Sequence, residues 1–202
     1  MFVKFLYAAV AVLILVVGWQ SWSHHRINAY LEQNVAAQSY GASEKDARIT
    51  VLAFMDYTCR ACKETNPYLM QVVAENPDMR VIFHPLPQPG ELSQKAARFA
   101  LAAAKQGKFI EMHEELMRNE RPVSDAVLRD IAEKLRLDYD RLQADSQDPA
   151  VTERLDHTLA IALKLGLDYT PSFIFNRKLI YVAMRPEMAY GDFLQLIQRL
   201  RT

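Results

Sequence analysis

The only two cysteines of the chain, Cys59 and Cys62, share the stretch FMDYTCRACKETNP, where an apolar β-type run (Ile49, Val51, Ala53, Met55) gives way to a helix-compatible one. A strand that feeds directly into a helix aims the unpaired N–H groups of the first turn, and the positive end of the helix dipole, at the residue that opens the helix. A thiolate at that position is stabilised. In a chain of 202 residues, two lone cysteines so placed indicate a reactive pair, since a fold-stabilising framework uses several cysteines scattered along the sequence. Cys59 then reads as the exposed nucleophile and Cys62, one turn on, as the resolving thiol. Arg60 lies between them and is expected to lower the Cys59 pKa further. Each unit of lowering is worth about 1.4 kcal/mol, or roughly 30 mV of oxidising power for a two-electron couple. These residues point to thiol-disulfide exchange.

Three other readings of the pair compete. Tetrahedral zinc takes four ligands, and no second C-x-x-C or H-x-x-x-H pair exists among the five histidines. A structural disulfide here would staple a single helical turn, closing a loop too short to remove much unfolded-state entropy. Two inert buried cysteines would pack as small hydrophobes, against which stand the polar neighbours Thr58, Arg60, Lys63 and Glu64. From another functional class, a membrane-tethered metal or copper binder using the two thiols stays open as an alternative.

Basic and acidic residues balance at 24 each, so neither nucleic acid nor an acidic surface is an implied partner. The N-terminal stretch is set apart: Phe5 to Trp19 carries no charge, Lys4 precedes it, and Trp19 and Trp22 stand at its end like interfacial anchors. With Phe2 and Val3 it approaches the ~20 residues that span a bilayer. Residues 1–23 therefore read as a transmembrane signal anchor or a signal peptide. The poor cleavage site Ser21-Trp22-Ser23 favours an uncleaved segment. Either reading exports the rest of the chain to a compartment where an exchangeable disulfide persists. Residues 24–47, polar and Gln/Asn/Ser-rich, read as a linker.

The folded domain is expected over 48–202. Ile49 to Met55 reads as a buried strand, Arg60 to Asn76 as a helix kinked near Asn66 by Pro67, and Met79 to Phe83 as a second strand. Strand, helix, strand predicts a parallel pair and an α/β domain. His84 and the prolines Pro85, Pro87 and Pro89 read as loop. A helical block follows over about residues 90–166. Its stripes are Leu92, Ala96, Phe99 and Ala103, then Phe109, Met112 and Leu116, then Leu155, Leu159 and Leu163. Ser124, Asp138 and Asp148 read as N-caps, and Gly166 as a stop. His113 and His157 read as surface or half-buried residues of these helices. Ser172 to Phe175 and Leu179 to Val182 then form a hairpin, and Met188 to Leu200 a closing helix with Phe193, Ile197 and Leu200 on one face.

This order, with C-x-x-C opening the first helix and Thr170-Pro171 just before the third strand, resembles the thioredoxin fold. With its large all-helical insertion it is similar to the DsbA-type thiol:disulfide oxidoreductases of bacterial envelopes. The resemblance covers roughly residues 48–201. It implies a cis bond before Pro171, substrate binding by Thr170 and Pro171, and donation of a disulfide through Cys59-Cys62 to reduced or misoxidised exported proteins. It also implies reoxidation by a DsbB-type membrane partner, a catalytic domain on the periplasmic side of the inner membrane, and no organic cofactor or metal. A reductase or isomerase of the same fold is the alternative. The chain departs from the best-known oxidases in carrying Arg60-Ala61 rather than Pro-His between the cysteines. Where thioredoxins bury a carboxylate, six positions before the first cysteine, it has Ala53. Its nearest acid, Asp56, reads as a helix cap or a proton relay. Asn176 is followed by Arg177 rather than glycine, so a tight hairpin turn is not assured.

Overall fold

Every residue of Ile49–Met55 except Thr50 is apolar, and the strand it forms, β2, is buried along nearly its whole length, as a strand covered on both faces must be. The computed structural model describes residues 36–176, 179–182 and 186–202. The expected anchor over 1–23, the linker up to residue 35 and the turn at 177–178 lie outside the described residues. Among the described residues no helix is long and apolar enough to cross a membrane.

Among the described residues β2 is the centre of a five-stranded sheet of order β1 (Ser39–Gly41), β3 (Met79–Pro85), β2, β4 (Ser172–Phe175), β5 (Leu179–Val182). Its parallel partner is β3 (Met79–Pro85), in register from Ile49 opposite Met79 to Met55 opposite Pro85. Helix α1 (Arg60–Glu75) makes the crossover that a parallel pair requires. On the other side β4 (Ser172–Phe175) runs antiparallel to β2, and β5 (Leu179–Val182) antiparallel to β4 as the expected hairpin. Asn176 begins that hairpin's turn at φ 45°, a left-handed conformation that Asn tolerates, and its side-chain Oδ1 accepts from Thr50 N–H at 2.8 Å.

Two corrections concern the sheet. The domain begins before Arg48: β1 (Ser39–Gly41) adds an antiparallel edge to β3. Three residues show no alternating pattern, so nothing in the sequence marks this strand. It is held through the backbone, and Gly41 permits the approach with φ 98°. A Cβ there would lie 2.4 Å from the Met79 carbonyl oxygen and 2.6 Å from Val73 Cγ1. Second, β3 continues through His84 to Pro85, beyond Ile82 where its pairing with β1 ends, so the proline sits where that side of β3 is an edge. His84 is therefore a sheet residue. It is buried, stacks on Phe54 with ring centroids 5.1 Å apart, and has Nδ1 3.5 Å from Arg154 Nη2.

Between β3 and β4 lies the helical insertion: α2 (Glu91–Ala104), α3 (Phe109–Arg118), α4 (Asp125–Lys134), α5 (Tyr139–Ser146) and α6 (Pro149–Lys164). The three caps do what their residue types predict. Ser124 accepts from Val127 N–H, Asp138 from Arg141 N–H and Asp148 from Ala150 N–H. The Leu155, Leu159, Leu163 stripe fails as a core face, because four-residue steps advance about 40° around a helix each time. Leu159 and Leu163 come out exposed, and α6 buries Val151, Leu155, Thr158, Ile161 and Ala162 instead. Leu92, in the first turn of α2, is exposed as well. The closing helix α7 (Ala189–Arg201) packs beside α1, with Phe193 edge-on to Phe173 at 5.1 Å.

Candidate active site

Cys59 is the N-cap of α1, with extended backbone (φ −75°, ψ 119°) and no side-chain capping bond, so its sulfur sits at the helix mouth while its carbonyl accepts from Lys63 N–H at 3.1 Å. The Cys59 sulfur lies 3.4 Å from the Thr170 carbonyl oxygen, to which it donates when it carries its proton. Thr170 is joined to Pro171 by a cis peptide bond at the foot of β4. The two motifs, 111 positions apart in sequence, thus meet at one sulfur. Cys62 is 0 % exposed, and its sulfur accepts the Asp56 N–H at 3.4 Å.

The two thiols are electrostatically unequal. Cys59 is lowered from the ordinary 9.0 to about 6, chiefly by the hydrogen bond it receives from Cys62; its partial burial opposes this, and a hydrogen bond from the Thr170 side chain adds to the lowering. Cys62 is pushed well above 9.0, first by burial and then by the same bond to Cys59. The proton of the pair therefore resides on the buried sulfur and the negative charge on the one at the helix mouth, where backbone dipoles favour it.

Arg60 does not supply that effect. Its side chain is 91 % exposed and turned to Glu64, Nε to Oε1 at 2.6 Å, and the lowering of Cys59 comes from Cys62 and Thr170 instead. An arginine in the first turn of a helix reaches a glutamate four residues on more readily than a sulfur behind it. Asp56 does not cap α1, whose N-cap is Cys59. It is 1 % exposed, and its carboxylate accepts from Thr58 N–H (2.6 Å), Thr58 Oγ1 (2.9 Å), Gln88 N–H (2.7 Å) and Ser93 Oγ (2.7 Å). It straps the turn before Cys59 to the segment leading into α2. Among the described residues no group of three or more His, Cys, Asp and Glu side chains gathers as a metal site would.

Sequence reasoning missed a second strap. Tyr57 Oη lies 3.1 Å from His113 Nδ1, and His113 Nε2 lies 3.0 Å from Asn66 Oδ1, all three residues being buried. His113 is thus no surface residue. The signal was present: Phe109, Met112, His113, Leu116 and Met117 follow the i, i+3, i+4, i+7, i+8 spacing of one buried helix face. Burial lowers His113 to about 3, so it is neutral at physiological pH. His157, by contrast, stays exposed, 3.7 Å from Glu153.

Comparison with known proteins agrees with this geometry. The family described as DSBA-like thioredoxin domain matches residues 50–192. A thioredoxin-like oxidoreductase from Silicibacter pomeroyi has a similar structure, with TM-score 0.77, 29% identity, and 86% of this chain and 96% of that one covered. A periplasmic thioredoxin-like protein from Salmonella enterica serovar Typhimurium follows at TM-score 0.74 and 27% identity, covering 87% and 97%. Among curated sequences, the Na(+)/H(+) antiporter NhaA 3 of Salinispora tropica is 30% identical over 134 residues, 65% of this chain and 21% of the antiporter. The chain spans about a fifth of the length of the curated relatives it matches.

Proposed function

Because the chain belongs to the DSBA-like thioredoxin domain family, we propose that it is a thiol:disulfide oxidoreductase that donates a disulfide to exported proteins through Cys59 and Cys62. The observation that carries this reading is the division of labour between the sulfurs: a half-buried Cys59 held as thiolate and a buried Cys62 held as thiol.

The reaction starts from the Cys59–Cys62 disulfide. A reduced substrate lies extended against Thr170 and Pro171, and one of its thiolates attacks Cys59 Sγ. The Cys59–Cys62 bond breaks, its electron pair leaves on Cys62, and that sulfur takes up a proton in its buried seat. A second substrate thiolate then attacks the substrate sulfur of the mixed disulfide and expels Cys59, a good leaving group because its thiol pKa is low. The substrate has lost two electrons and two protons. One proton is on Cys62, the other in solvent, and both electrons are on the enzyme. The bond from Cys62 to the Cys59 thiolate closes the cycle's reduced state. A membrane redox partner of the DsbB type restores the disulfide.

The site of action is outside the cytoplasm, with residues 1–23 as the anchor. The anchor reading rests on the uncharged stretch Phe5 to Trp19, and the compartment on the periplasmic relative from Salmonella. The test is the redox equilibrium of the purified protein against glutathione together with the pH profile of Cys59 alkylation. A potential well above thioredoxin's roughly −270 mV, with alkylation following a pKa near 6, supports disulfide donation. A potential near that of thioredoxin refutes it in favour of a reductase.

A further inference from the structure

Tyr57, His113 and Asn66 hydrogen-bond to one another rather than to either sulfur, forming a buried polar chain between the Cys59 turn, α3 and α1. Burying three polar side chains is costly unless each is paired, and a phenylalanine at position 113 would fill the space without that cost. The ring is closely packed on several sides: Phe83 lies 3.9 Å away centroid to centroid, and Phe109 and Tyr57 flank it. As the atoms stand, one tautomer satisfies everything. Nδ1 is unprotonated and accepts the Tyr57 hydroxyl, while Nε2–H donates to Asn66 Oδ1. Neutral His113 is therefore a fixed acceptor on one side and a fixed donor on the other.

What it joins is informative. Tyr57 stands two residues before Cys59. Asn66 stands four after Cys62 and directly before Pro67, whose missing N–H leaves the Lys63 carbonyl without its helical donor. The turn into Cys59 is thus gripped from two directions, by Asp56 toward the segment that leads into α2 and by Tyr57 toward α3. We propose that His113 is a positioning residue for thiol-disulfide exchange: its two hydrogen bonds tie Tyr57 to Asn66 and so hold the turn that seats the Cys59 sulfur at the mouth of α1. The proposal rests on the reading of Cys59 as the attacked sulfur.

The test compares reduced wild type with His113→Phe, His113→Gln and Tyr57→Phe, reading the Cys59 pKa from the pH dependence of alkylation, the equilibrium with glutathione, and the urea midpoint. Phenylalanine keeps the ring volume and loses both bonds. Glutamine can keep an acceptor for Tyr57 and a donor for Asn66 while losing the ring. The expected result is that His113→Phe and Tyr57→Phe each raise the Cys59 pKa by about half a unit or more and make the protein about threefold less oxidising against glutathione. His113→Gln should stay closer to wild type in both despite poorer packing. Should His113→Phe fail to fold, Tyr57→Phe, which removes a single hydroxyl, carries the comparison. A wild-type Cys59 near 6 that neither Phe variant moves, or a Gln variant displaced as far as the Phe variant, overturns the role of His113 alone. A wild-type Cys59 that titrates near the ordinary thiol value overturns the exchange reading, and this one with it.

Discussion

The unequal ionisation of the two sulfurs makes the stability gap between the dithiol and disulfide forms depend on pH, with a sign and size that the site dictates. In the reduced protein Cys59 titrates at about 6 against an ordinary 9.0. A depressed pKa adds stability that is complete above the unfolded value and disappears as pH falls through the folded one. The disulfide form has no such group. At pH 7 the contribution is about 1.4 kcal/mol, at pH 5 only about 0.1 kcal/mol, and the pH 7 figure corresponds to about 30 mV of oxidising power. Solvent screening at a half-buried sulfur makes the larger number an upper figure. Cys62, raised above its ordinary value, stays protonated across this window, and the buried histidines act equally in both forms and cancel. The assay is urea unfolding of both redox forms at pH 5 and pH 7. The reduced form should gain on the oxidised form by about 1 kcal/mol on going from pH 5 to pH 7. In the single-cysteine protein Cys62→Ala, which removes the largest cause of the lowering, Cys59 should titrate closer to 9.0, while Cys62→Ser keeps a donor and should hold it lower. An identical gap at both pH values, or a Cys62→Ala protein that still titrates near 6, would show that the bond from Cys62 is not what ionises Cys59.

Further outcomes follow from other parts of the fold. Arg60→Ala should leave the Cys59 pKa within about 0.3 unit of wild type, as expected of an exposed pair, measured by the same alkylation profile. Gly41→Ala should destabilise the domain by about 2 kcal/mol or more in urea, because the new Cβ meets the Met79 carbonyl and the left-handed φ is strained. His84 and His113 are lowered from 6.5 to about 3 by burial, with Arg154 adding to the effect at His84. Their contribution is present above pH 6.5 and lost between 6.5 and 3, by on the order of 2–3 kcal/mol each at pH 4.5. Acid titration of His84→Phe followed by circular dichroism should show a correspondingly weaker loss of stability on acidification.

What could be read from residue order was whatever depends on neighbours along the chain. The β2 run, the helix opened by Cys59, the caps at Ser124, Asp138 and Asp148 and the β4–β5 hairpin are all local patterns, and all stand where the pattern puts them. Periodicity failed where it was followed too mechanically: the four-residue leucine stripe of α6 drifts off the buried face, and His113 belonged to the face already marked by Phe109, Met112 and Leu116. The cis bond before Pro171 was reached through family resemblance, not through spacing. Three things needed the tertiary structure, because each depends on atoms brought together from distant positions. They are the edge strand at Ser39–Gly41, the reach of Gln88 and Ser93 to Asp56, and the clasp of His113 between Tyr57 and Asn66. A charge or a hydroxyl takes the partner that folding leaves closest, and only the packed chain decides which partner that is.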